Sequence, residues 1–123
     1  NLGNSNREDF ARAMIEGMLC GMADAVASLE KLGVEVKRIL IVGGAAKNPA
    51  VGKIASAIFG REVIIPAPGE YVAIGAAKLA AWALLGTERP PEWNLGDVTS
   101  IKEVATPEVL IKYRKLRDQT QGW

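Results

Sequence analysis

Histidine is absent from this chain, and cysteine occurs once. The first absence removes Ser-His-Asp and Cys-His catalysis, the common zinc constellations and imidazole acid–base chemistry together. The second rules out an intrachain disulfide, and a lone thiol fits a reducing compartment. Aromatics supply only 6% of the residues, so alanine and the branched aliphatics must carry the packing. Charge of one sign is also missing: 15 basic residues face 14 acidic ones, with no long run of either. Neither a nucleic-acid surface nor a polybasic membrane patch is expected. The longest apolar run, YVAIGAAKLAAWALLG, is shorter than the roughly 20 residues of a membrane span, and Lys78 interrupts it. The chain opens on Asn1 without a signal-peptide pattern, which reads as a processed or excised product with a cytoplasmic location.

What is present suits one small domain or part of a larger one: 123 residues, 49% of them hydrophobic. Ser5 and Glu8 have the spacing of a capping box. Phe10, Met14, Met18, Met22, Ala25, Val26 and Leu29 then recur at helical intervals, and Gly33 supplies a stop. A helix over about 6–32 is expected, its Met-rich stripe and Cys20 in the core, with Gly17 and Gly21 thinning one face. The run VKRILIV over 36–42 reads as a strand buried on both faces, closed by Gly43 and Gly44. Asn48 is a good N-cap and Pro49 a good first helical residue. The helix they open would bury Val51, Ile54, Ala55 and Ile58 and stop at Gly60. A second strand over 62–65 ends at Pro66, and Glu70 opens a third helix whose Gly75 and alanines suggest a backbone lying close against a sheet. After the proline-stiffened exit TERPPEW, a last helix is expected over about 107–117.

The order α-β-α-β-α plus a C-terminal appendage indicates an α/β layer with a parallel sheet. The layer divides into residues 1–86 and an appendage over 87–123. Two short parallel strands do not make a self-standing sheet. Either strands from elsewhere or other chains, a second copy included, would have to complete it.

The stretch ILIVGGAAKNP is the focus for chemistry. It satisfies neither the P-loop pattern nor the three-glycine dinucleotide fingerprint. Two glycines nevertheless let backbone N–H groups approach a ligand, and the following helix start suits a phosphate or a ribosyl edge. The competing account is structural: the glycines turn the chain and Asn48 caps the helix.

GGAAKNP after ILIV resembles the adenosine-side glycine motif of the FGGY carbohydrate kinases. DFARAMIEG over 9–17 resembles the end of the family's C-terminal signature, and EYVAIGAA over 70–77 resembles the helix that follows the motif. The match covers about residues 2–85. PGEYVAIGAAKLAAWAL and the proline–tryptophan exit resemble the xylulose-phosphorylating branch most, with glycerol, gluconate, ribulose and deoxy-ketose kinases as alternatives. The resemblance implies the C-terminal part of an actin-like ATPase (ribonuclease H-like) domain in an ATP-dependent kinase, with Mg²⁺ held mainly outside this chain. It implies that Gly43 and Gly44 meet the ATP phosphates, that Ala45 is tolerated between them and the helix, that Lys47 can reach the phosphates and that Asn48 lies beside the adenine. No residue here is assigned to catalysis. In the family the catalytic Asp and the sugar site lie upstream of the matched region, so this chain alone is expected to be inactive. The alternative from a different class is a noncatalytic α/β dimerisation module.

Overall fold

The computed structural model describes residues 2–94 and 96–121. Asn1, Leu95, Gly122 and Trp123, which fall within the two stretches named from sequence, lie outside the described residues. Helix α1 runs over Arg7–Lys31, β1 over Ile39–Leu40, α2 over Pro49–Phe59, β2 over Val63–Pro66, α3 over Tyr71–Leu85, β3 over Val98–Ile101 and α4 over Pro107–Thr120.

Local capping decides most of these boundaries. At the start of α1 the capping box forms one residue later than its spacing predicts. Asn6 Oδ1 accepts from the Asp9 amide at 2.8 Å, and Asp9 Oδ2 accepts from the Asn6 amide at 3.1 Å. An Asx side chain caps as well as a hydroxyl does, so the Asn–Asp pair displaces the Ser–Glu pair. At the other end Gly33 takes φ +85°, and the amides of Gly33 and Val34 return to the carbonyls of Glu30 and Leu29. That is the Schellman closure. Helix α2 starts on Asn48, whose Oδ1 accepts from the Ala50 amide at 3.0 Å, followed by Pro49, and ends on left-handed Gly60.

The sheet has three strands among the described residues, one more than expected, in the order β1-β2-β3. Strands β1 and β2 are parallel, with Ile39 opposite Val63. Strand β3 comes from the C-terminal appendage and pairs antiparallel with β2, from Val63 opposite Ile101 to Pro66 opposite Val98. The sheet is therefore mixed rather than purely parallel. The appendage supplies the edge that the two-strand reading lacked.

The core lies where α1, α2 and β2 meet. Leu19, Cys20, Ala23, Ala55, Ile58 and Val63 form it, with Ile101 and Tyr113 packed against it. Gly52 sits so close to the sheet that an added Cβ would stand 2.6 Å from Ile65 and 2.7 Å from Ile101. Gly21 has the expected effect on α1, because Tyr113 of α4 approaches its open face. Burial raises the Cys20 thiol above its ordinary pKa, with Glu16 and Asp24 adding to the shift. The thiol is held protonated as core filler.

Three expectations fail. The Met-rich stripe of α1 faces outward, with Phe10, Met14, Met18 and Met22 all exposed. Burial instead follows the neighbouring face through Leu19, Cys20 and Ala23, because α2 and α4 both approach from that side. Helix α3 does not lie against the sheet: none of its residues is buried, and among the described residues no element packs along it. Strand β1 is also shorter than its apolar run, since it has a partner on one side only.

Ser56 joins these layers. It is fully buried, donates to the Arg61 carbonyl at 3.0 Å and accepts from the Glu103 amide at 2.9 Å. Ser56→Ala removes both part-buried bonds, leaving the Arg61 carbonyl and the Glu103 amide without the buried hydroxyl that joins them. It should lower stability by about 1–3 kcal/mol, read as a fall of the thermal unfolding midpoint. An unchanged midpoint would show that water replaces both bonds at no cost. On the outer side Asp24 holds the appendage to α1, accepting from Arg114 Nε at 2.6 Å and from Arg117.

Candidate functional site

Open α/β sheets leave a crevice at the carboxyl ends of their parallel strands. Here β1 runs out into Gly43 and Gly44, and β2 runs out into the turn Pro66-Ala67-Pro68-Gly69. Because β3 is antiparallel to β2, it begins at that same end, which places Asp97 and Thr99 beside the turn. The result is an open cleft of about 550 Å³.

The first wall is the glycine turn. Gly43 has φ +92° and ψ −169°, a combination essentially confined to glycine. It redirects the chain into one turn of 3₁₀ helix over Gly44–Lys47. The Ala46 and Asn48 amides close back onto the Gly43 and Ala45 carbonyls at 3.2 and 3.1 Å. The amides of Gly44 and Ala45, at the head of this turn, find no acceptor among the described residues. A Cβ added at Gly43 or Gly44 would meet nothing within 4 Å. Gly44 lies outside the positive-φ set, so neither its backbone nor its neighbours require glycine. Open space over a glycine that the fold does not demand is what close approach of a ligand would use.

The second wall is held by hydrogen bonds. The Tyr71 hydroxyl donates to the Ala67 carbonyl, and the Ala67 amide donates to the Asp97 carbonyl at 2.9 Å. The turn is thus tied both to α3 and to the start of β3.

Of the residues singled out from sequence, Gly43, Gly44 and Lys47 line the cleft. Lys47 is exposed and makes no ion pair among the described residues. Ala45 does not line the cleft, whereas its neighbour Ala46 does. Asn48 lies behind the turn with its side-chain oxygen engaged in capping. Sequence reasoning missed Tyr71, Asp97 and Thr99. The one local hint was Asn94-Leu95-Gly96-Asp97, a turn signal, and Gly96 indeed has φ +80° with its amide bonded to Asn94 Oδ1 at 2.9 Å.

The cleft has acceptors in Glu70 and Asp97, a cation in Lys47 and free amides at the glycine turn, but no nucleophile paired with a base. Elsewhere, Asp9 is used in capping and Asp24 by two arginines. Among the described residues no group of three His, Cys, Asp or Glu side chains is placed to hold a metal ion. No helix among them is long and apolar enough to cross a membrane.

Comparison with known proteins adds the following. The pattern of the FGGY family of carbohydrate kinases, C-terminal domain, matches residues 2–84. A glycerol kinase of Thermococcus kodakarensis is 38% identical over 80 residues, which is 65% of this chain and 16% of that protein. A xylulose kinase of Staphylococcus epidermidis is 33% identical over 82 residues, 67% of this chain and 16% of that protein. The crystal structure of xylulose kinase from Bifidobacterium adolescentis superposes with a TM-score of 0.77 at 43% identity, covering 95% of this chain and 23% of that one. The chain spans about one sixth of the length of the curated relatives it matches.

Proposed function

This chain belongs to the FGGY family of carbohydrate kinases, and we propose that it is the nucleotide-facing, C-terminal part of a xylulokinase. Its small mixed α/β sheet with four helices is the C-terminal portion of that actin-like fold. The intact enzyme would convert D-xylulose and ATP to D-xylulose 5-phosphate and ADP. One observation carries the nucleotide assignment: Gly44 is open to the cleft and nothing among the described residues requires a glycine there.

The residues present fit a nucleotide phosphate. In this reading the Gly43–Gly44 turn brings free amides to it, Lys47 adds a positive charge, and Ala45 keeps the turn small behind them. Asn48 holds the turn on α2 and reaches toward the adenine. Bound Mg²⁺ would offset charge on the transferring phosphoryl group. The described residues offer no cluster to hold it, so its ligands would be the phosphates and groups outside this chain. The sugar side and the base that deprotonates its hydroxyl have no counterpart among the cleft residues, and the chain alone is expected to be inactive.

Xylulose is favoured over glycerol because the likeness to a xylulose kinase includes the appendage. That superposition covers 95% of the chain at 43% identity; in sequence alignment the xylulose and glycerol kinases match similar shares of it, 67% and 65%. Two measurements test the assignment. Calorimetric titration of the purified chain with ADP should give saturable heat. A coupled assay with D-xylulose and MgATP should give no turnover by the chain alone, and turnover there would overturn the placement of base and sugar site outside it. Absence of ADP binding would favour the other reading, a dimerisation module built on the exposed apolar faces of α1 and α3.

A further inference from the structure

We propose that Tyr71 is a positioning residue for the nucleotide cleft, its hydroxyl coupling the order of α3 to the order of the wall opposite the glycine turn. The inference rests on the nucleotide reading above and adds to it a link between the bound nucleotide and a helix.

That wall is the turn Pro66-Ala67-Pro68-Gly69, which lines the cleft together with Tyr71. Its two prolines have no amide to donate, so its anchorage falls on Ala67. Both polar backbone groups of Ala67 are engaged. The amide donates to the Asp97 carbonyl at 2.9 Å, and the carbonyl accepts from the Tyr71 hydroxyl. One bond ties the turn to β3 and the other ties it to α3.

The two ties are unequal. Strand β3 is paired with β2 along its length, from Val98 to Ile101. Among the described residues no element packs along α3, and its N-cap residue Glu70 makes no side-chain cap. Tyr71 is the first residue of that helix. Its hydroxyl therefore holds the turn only while the first turns of α3 are formed. The ring covers the same place, since a Cβ added at Gly69 would stand 3.5 Å from Tyr71 Cζ.

The consequence follows from linkage. When α3 opens, Ala67 loses its carbonyl partner and the turn hangs on its β3 bond alone. A nucleotide must then order that wall as it binds, which weakens affinity. By reciprocity the bound nucleotide stabilises the start of α3 by the same factor, at amides that need not touch it. One neutral hydrogen bond sets that factor at about fivefold.

The test is amide exchange followed by NMR, with calorimetry, on the parent chain and on Tyr71→Phe at low protein concentration. The substitution keeps the ring over Gly69 and removes only the hydroxyl. Without ligand, the Ala67 amide should exchange about fivefold faster in the variant. Saturating ADP should slow the parent's amides over 74–78 about fivefold, and those of the variant not at all. The variant should bind ADP about fivefold more weakly. Its unfolding midpoint should match the parent's, because Tyr71 lies outside the core. A hydroxyl that instead touched the nucleotide directly would weaken binding while leaving Ala67 exchange in the free variant unchanged, and that result overturns the inference. So does equal protection of α3 by ADP in both chains, or ADP binding to the parent without protection of α3. A parent chain that binds no ADP overturns the nucleotide reading and this inference with it.

Discussion

In the isolated chain, the backbone amides of α3 should exchange with solvent deuterium at least about a hundredfold faster than those of α2 and β2. Helix α3 is well terminated: Gly86 closes it in the left-handed conformation, and Trp82 Nε1 donates to the Thr87 carbonyl at 2.6 Å. Alanine-rich sequence also favours it. But helices of this length are marginal in water without tertiary packing, and among the described residues no element packs along α3: Val72 and Leu84 are both 89% exposed. Its amides should be protected less than about tenfold, whereas α2 and β2 open only when the core formed by Ala55, Ile58 and Val63 separates. Protection of α3 equal to that of α2 at low concentration would show a docked helix and overturn this account. Protection that rises with protein concentration would identify a second copy as the cover. The same experiment thus separates a kinase fragment awaiting the rest of its domain from a self-associating module.

How far the sequence foretold this architecture depends on the range of the interactions involved. Helix α2 was legible almost to the residue, because Asn48, Pro49 and Gly60 act on backbone groups within one turn of themselves. Strand β3 was not. Val98-Thr99-Ser100-Ile101 carries little hydrophobic signal, and its strand character comes from pairing with β2, more than thirty residues earlier. Periodicity identified α1 but misplaced its buried face. Both the Met-rich stripe and the Leu19–Ala23 side are apolar, and only the positions of α2 and α4 choose between them. The third helix shows the converse: an apolar sequence states that a face needs cover without stating that this chain supplies it. The cleft divides in the same way. Its glycine wall is contiguous in sequence and was read directly. Its other wall brings Tyr71 and Asp97 together through a hydrogen-bonded turn, which no local pattern encodes.

The glycine wall gives the second large expected effect, because its two glycines exist for different reasons. Gly43→Val forces a branched side chain into φ +92°, ψ −169°, and should cost about 1–3 kcal/mol of stability whether or not a ligand binds. Gly44→Val meets no such penalty. Its φ is not positive, and the space over it is empty. Its unfolding midpoint should stay within about 0.5 kcal/mol of the parent, as for an ordinary surface substitution. ADP binding should nevertheless fall at least about a hundredfold, because the isopropyl group fills the volume through which phosphate reaches the free amides, and each charged hydrogen bond lost is worth about 1.5–3 kcal/mol. Asn48 completes the set. Asn48→Ala should cost about 1 kcal/mol through the lost cap, whereas Asn48→Ser retains a capping oxygen and should restore stability. If Asn48→Ser restores stability but not ADP affinity, the amide also serves the ligand; if it restores both, capping is its whole role. A Gly44→Val chain that unfolds as the parent does and binds ADP equally well would remove the nucleotide from this cleft, since nothing else among the described residues explains a glycine there.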